Sequence, residues 1–119
     1  MTKLDAAQMR HELGNFTGTE HFYRHPLNRN LIYTDGVKFF ADNGAYWFID
    51  EIALDFWKLS QREEFLHIKL VVTGNKANII ADDGNGIILQ AKKIEFTDCP
   101  EGEWRFYLEN STLCLPMER

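Results

Sequence analysis

The strongest constraint in this chain is a change of hydrophobic period near residue 65. From Phe65 to Thr73 apolar and polar residues alternate, with Leu66, Ile68, Leu70 and Val72 on one face. A period of two belongs to a strand buried on one side. Gly74-Asn75 is a tight-turn signal, and Lys76 to Ala81 returns as a second strand. Asp82-Asp83-Gly84-Asn85-Gly86 turns the chain again, and Gly86 to Phe96 predicts a third strand. A loop containing Pro100 and Gly102 leads to Trp104–Leu108, where Trp104, Phe106 and Leu108 share a face; Leu113 to Leu115 predicts a last short strand.

Before residue 65 the period is mostly helical. Leu4, Ala7, Gln8 and His11 share a face, as do Met9 and Leu13, so a weakly amphipathic helix is expected to end near Gly14. Phe16 to Leu27 reads as a loop and a short strand, with Phe22 and Arg24 on one side and His21, Tyr23 and His25 on the other; Pro26 and Asn28-Arg29-Asn30 stop it. Leu31 to Tyr33 is a short extended piece. Thr34 then reads as an N-cap, with Asp35 in a first turn that suits negative charge. Val37 to Ala41 predicts one short helix, ended by Asn43-Gly44. A second runs from about Ala45 to Leu59, with Ala45, Ile49, Ile52, Phe56 and Leu59 as its core stripe and Asp50, Asp55 and Lys58 outside it. The expected architecture is a single α+β domain over residues 1–119: a mostly antiparallel sheet of about four to six strands with helices packed on one face.

At 119 residues the chain can bury a real core. Aromatic residues make up 13% of it, so rings that are not buried must face a partner or a pocket. The formal charge of −5, with the acidic excess scattered, argues against non-specific nucleic-acid binding and against an anionic membrane surface. No stretch approaches the ~20 apolar residues of a spanning helix, and Met1 to Gly14 lacks a signal-peptide core, so a cytoplasmic location is expected. Two cysteines, Cys99 and Cys114, are too few for a disulfide framework. Without a secretion signal, the glycosylation-like triplets at Asn15 and Asn110 carry no meaning.

Several local patterns invite chemistry. His11-Glu12 would need a second histidine where Asn15 stands to resemble a zinc-protease helix. His21 and His25, if on a strand, lie about 13 Å apart on one face, too far to share an ion. Asp83-Gly84-Asn85 begins like a calcium loop, but Ile87 and Ile94 occupy positions that need oxygen ligands, so a hairpin turn is the better reading. No metal or other cofactor is expected. Thr17-Gly18-Thr19 could turn backbone N–H groups toward an anion. Thr34-Asp35-Gly36 could do likewise, although Asp35 would repel a phosphate. Glu20, Arg24 and His25 could gather near Tyr23 as a structural charge cluster, a ligand site or an acid–base group.

The segments Phe16-Thr17-Gly18-Thr19-Glu20, Tyr23-Arg24-His25, Tyr33-Thr34-Asp35-Gly36-Val37 and Ala45-Tyr46-Trp47 resemble, in that order, a family of small uncharacterised proteins of bacteria, bacteriophages and plasmids that carries a domain-of-unknown-function label. The resemblance runs from about Phe16 to Leu115-Pro116. It implies an accessory role on mobile elements, with counter-defence as one such job: blocking a host immune complex or sequestering a nucleotide signal. It also implies that the shared polar and aromatic residues form a ligand pocket of Thr17, Thr19, Glu20, Tyr23, Arg24, His25, Tyr33, Asp35 and Trp47. Arg24 would hold a phosphate or carboxylate, while Tyr23, Tyr33 and Trp47 would stack on a base. The expected function is a non-enzymatic binding protein for a small anionic or nucleotide-like ligand or a host protein, with homo-oligomerisation left open. The alternative is a small enzyme using Glu20 and His25 as acid–base groups on a nucleotide-like substrate.

Overall fold

The structure is a computed structural model that describes residues 4–119. A seven-stranded sheet carries the helices on one face. The strands are β1 (Phe22–Arg24), β2 (Ile32–Thr34), β3 (Phe65–Thr73), β4 (Lys76–Asp82), β5 (Ile88–Ile94), β6 (Gly102–Glu109) and β7 (Thr112–Cys114). Their order across the sheet is β1-β2-β7-β6-β3-β4-β5. All neighbours are antiparallel except β2 and β7, which run parallel, with Ile32 opposite Thr112 and Tyr33 opposite Leu113. The fold class is α+β, as the alternating period predicts. The strand count exceeds the expected range by one, since the short strand expected before Pro26 and the extended piece expected at Leu31–Tyr33 both count in the sheet, as β1 and β2 of three residues each. They become strands by pairing with each other and with β7.

The helical layer follows the sequence closely. Helix α1 (Ala6–Leu13) opens with a reciprocal cap: Gln8 N–H donates to Asp5 Oδ1 at 2.8 Å and Asp5 N–H to Gln8 Oε1 at 2.9 Å. Helix α2 spans Asp35–Asp42 and buries Gly36, Val37, Phe40 and Ala41. The expected helix from Ala45 to Leu59 is interrupted: α3 (Tyr46–Glu51) passes through a π-helical turn at Ile52–Phe56 into α4 (Trp57–Ser60). The stripe survives, since Ala45, Ile49, Ile52, Phe56 and Leu59 are all buried. A π turn widens the register by one residue. Ala53 is thereby buried beside Ile52, while Leu54 and Asp55 stay exposed.

Between the layers, Leu66, Ile68, Leu70 and Val72 of β3 and Trp104, Phe106 and Leu108 of β6 face the helices. Phe40 and Phe48 press on Phe106, with ring centroids 5.2 and 4.7 Å away, and Phe40 also meets Trp104 at 5.7 Å. Because β3 and β6 alternate, the residues between these, including Phe65, His67 and Lys69 on β3 and Arg105 and Tyr107 on β6, lie on the face without helices.

Leu70 is fully buried, with Trp104 and Ile79 opposite it on the flanking strands. Leu70→Ala should therefore cost about 2–5 kcal/mol in chemical denaturation. A loss below about 0.5 kcal/mol would place Leu70 on the wrong side of the sheet.

Candidate functional site

The residues singled out by sequence fall into two groups. The first is built round the Asp35 carboxylate at the start of α2. It accepts the Glu20 N–H at 3.0 Å, the His21 N–H at 3.3 Å and the Tyr23 hydroxyl at 3.1 Å. Thr19 closes the ring: its Oγ1 accepts the Asp35 N–H at 3.0 Å and donates to the His21 carbonyl at 2.7 Å. Tyr23 stacks on buried Tyr33, centroids 5.7 Å apart, and Lys38 lies over the Tyr23 ring. Burial, together with the Asp35 carboxylate, raises the Tyr23 phenol above its ordinary pKa, and burial does the same for Tyr33. Thr17, Glu20 and Arg24 are exposed, and the Arg24 guanidinium donates to the Arg29 carbonyl, bracing the loop after β1.

The second group surrounds His25, which is 2% exposed. Its Nδ1 accepts the backbone N–H groups of Leu27 and Asn28 at 3.2 and 3.0 Å, so the ring proton sits on Nε2, which donates to Asp50 Oδ1 at 2.8 Å. Both ring nitrogens are thus engaged within the chain. Trp47 is half-buried against Phe48, and its indole N–H has no hydrogen-bond partner among the described residues.

Thr34 occupies the cap position of α2 but does not cap it with its own side chain. Glu118, from the short 3₁₀ turn Pro116–Glu118, does that from the other end of the sequence. Its carboxylate accepts the Thr34 hydroxyl at 2.6 Å, the Gly36 N–H at 2.9 Å and the Leu115 N–H at 3.0 Å. Gly36 is required by this approach, since a Cβ there would lie 2.5 Å from Leu115 Cδ1 and 2.7 Å from Glu118 Oε1.

A third constellation, which sequence reading missed, occupies the helix-free face. Phe65, His67, Lys69, Asp82, Arg105 and Tyr107 line an open cavity of about 330 Å³, walled at one end by Gly84 and Gly86. His67 Nδ1 and Asp82 Oδ2 are 3.0 Å apart. A carboxylate can only accept, so Nδ1 carries a proton, and Nε2 is left without a hydrogen-bond partner among the described residues. Asp82 Oδ1 accepts the Gly84 N–H at 2.8 Å, tying the histidine to the turn. Burial raises the Asp82 pKa, but the hydrogen bonds from His67 and Gly84 and the closeness of His67 and Lys69 outweigh it and hold the carboxyl below its usual range. Gly84 has φ +88°, and a Cβ on it would meet Phe65 Cε2 at 2.9 Å. The β4–β5 register shifts at Ala81/Asp82, a bulge placed where Asp82 turns toward His67.

Cross-strand register brings like charges together here. Lys69 stands directly opposite Arg105, and His67 opposite both Tyr107 and Asp82. Glu103 serves both cations, 3.5 Å from Lys69 and 2.7 Å from Arg105. At the far end Phe65 and Tyr107 meet edge to face at 4.9 Å, and the Arg119 guanidinium, held by Glu109 at 2.8 Å, lies over both rings. Beside Tyr107, the buried Cys114 thiol is pushed up to about 11 by burial and by the carboxylates of Glu118 and Glu109.

The Asp35 clamp should be acid-sensitive. Hydrogen bonds from the Glu20 N–H, Tyr23 and the His21 N–H outweigh burial and lower its pKa, so its stabilisation is complete above the ordinary carboxylate range and is lost as pH falls through the depressed value. Asp35→Asn should be less stable than the parent near neutrality, with the gap closing below about pH 4. A gap constant down to strong acid in paired thermal melts would assign the clamp no ionic character.

No curated protein and no solved structure matches the chain. A family model described as a family of unknown function, DUF6876, matches residues 7–119, which takes in the segments built round Asp35, His25 and Glu118 as well as the whole helix-free face. The chain therefore belongs to the DUF6876 family of unknown function.

Proposed function

We propose that this is a non-enzymatic binding protein that takes a small anionic ligand in the cavity on its helix-free sheet face. The observation that carries the reading is Lys69 opposite Arg105. Like charges facing each other across neighbouring strands cost stability, and one carboxylate, Glu103, is shared between the two. A phosphate or carboxylate seated there would relieve the repulsion and gain charge-assisted hydrogen bonds. The Asp35 and His25 clusters then serve the fold, with Tyr23, Tyr33 and Arg24 bracing β1 and β2. A counter-defence role on a mobile element, by sequestering such a ligand, rests on the resemblance of the Phe16–Trp47 motifs to small phage and plasmid proteins.

One observation favours a host-protein partner as a second reading. Strand β5 is an edge of the sheet, begins with exposed Ile88 and is flanked by exposed Ile87 and Phe96. An unpaired edge with apolar neighbours suits strand addition by a partner.

The test is titration with inorganic phosphate at low salt, followed by calorimetry. Lys69→Thr and Arg105→Ala should each weaken phosphate about ten- to a hundredfold, the effect of losing a contact worth roughly 1.5–3 kcal/mol. Each should leave the melting temperature unchanged or raised, because a repulsive pair is removed. Lys58→Ala, exposed on α4, should change nothing. Phosphate binding that survives both substitutions, or a melting loss as large as a core truncation, sinks the proposal.

A further inference from the structure

We propose that the anion taken by this cavity is a nucleoside monophosphate, with its phosphate on Lys69 and Arg105, a sugar hydroxyl on His67 Nε2 and its base against the Phe65–Tyr107 rings. This rests on the anion-binding reading above and names the ligand class.

Strand β3 sets three kinds of recognition in a line. Phe65, His67 and Lys69 share the helix-free face at two-residue intervals, about 6–7 Å per step. Strand β6 doubles two of them, with Tyr107 beside His67 and Arg105 beside Lys69. The strip thus reads aromatic, hydrogen-bonding, cationic. A mononucleotide presents the matching order of base, sugar hydroxyls and phosphate.

The histidine narrows the choice. Asp82 holds the Nδ1 proton, so in the neutral ring Nε2 offers a lone pair and needs a donor. A hydroxyl supplies one. A second phosphate or carboxylate would instead meet a lone pair backed by the Asp82 carboxylate, which disfavours diphosphates and dicarboxylates. The rings narrow it further. Arg119 already stacks on Phe65 and Tyr107 at 4.8 and 5.4 Å, so this end accepts a flat, electron-poor group. A base can enter by sharing that stack with the guanidinium, a pairing that proteins use for unpaired bases.

Size and charge argue against a polynucleotide. The cavity, about 330 Å³, lies at the small end for ligand sites. Glu103 stands beyond the cationic end, and Glu109 stands beside Phe65 at the aromatic end. A strand continuing either way would carry its next phosphate past a carboxylate.

The experiment is calorimetric titration of the full chain with adenosine, guanosine, cytidine and uridine 5′-monophosphates, ribose 5-phosphate, inorganic phosphate and a four-nucleotide single strand. At least one mononucleotide should bind tenfold or more tightly than ribose 5-phosphate, and ribose 5-phosphate more tightly than phosphate. Phe65→Leu, which keeps an apolar side chain against Gly84, should bring the mononucleotide down to the ribose 5-phosphate level while leaving the latter unchanged. His67→Phe should abolish the advantage of ribose 5-phosphate over phosphate, and a 2′,3′-dideoxy mononucleotide should lose affinity for the parent but not for His67→Phe. If all the phosphate compounds bind equally, the anion site stands and the nucleotide assignment falls. If the four-nucleotide strand wins by tenfold, the ligand is single-stranded nucleic acid instead. If none binds, both this inference and the anion-binding reading fail.

Discussion

The ladder that pairs Phe65–Val72 with Gly102–Glu109 sets the terms for the rest of the molecule. Strand alternation allows each of these segments to bury only every second side chain. The helical layer covers one face, where Leu66, Ile68, Leu70, Val72, Trp104, Phe106 and Leu108 are buried. The other face must then be made of residues that tolerate water. It could have been neutral and bland. Instead it carries rings, a histidine–carboxylate pair and two opposed cations, an arrangement that contributes nothing to packing the core.

Two carboxylates hold the periphery to this centre. Asp35 gathers two donors from the segment between α1 and β1 and one from β1, and Glu118 gathers three from β2, α2 and the chain after β7. Both act at the N-terminus of α2, where exposed N–H groups and the helix dipole favour negative charge. Residues of the motifs before Trp47 therefore have structural work: Thr19, Tyr23 and Thr34 each serve one of these carboxylates, and Gly36 admits Glu118. A motif rich in polar residues is as compatible with a frame of hydrogen bonds as with a pocket, and their spacing along the chain does not distinguish the two.

That explains what the sequence could reveal and what it could not. The period of two from Phe65 onward and the stripe from Ala45 to Leu59 are local, and both were legible because a residue's neighbours in the chain decide them. The π turn at Ile52–Phe56 left the stripe intact, so periodicity gave no sign of it. Glu118 reaching Gly36 joins residues 82 positions apart, beyond any local pattern. The helix-free site lay hidden for a different reason. Each of its residues reads singly as the solvent half of an alternating strand. Only the pairing register shows that Lys69 meets Arg105 and that His67 meets Asp82. The one available signal was the mixture of Phe65, His67, Lys69, Arg105 and Tyr107 at outward positions, where small or uniformly charged residues would have been enough.

The place of β7 has a consequence for how the protein comes into being. Although it is the last strand in sequence, it lies between β2 and β6, parallel to one and antiparallel to the other. Without Thr112–Cys114 in place, β1 and β2 have no strand linking them to the rest of the sheet, and β6-β3-β4-β5 is left as a four-stranded sheet with an open edge. The nascent chain must keep these halves apart from other strands until the wedge arrives, because pairings so distant in sequence form late and leave edges exposed meanwhile. Closure also brings Glu118 to α2, so the event that unites the sheet is the one that caps the helix.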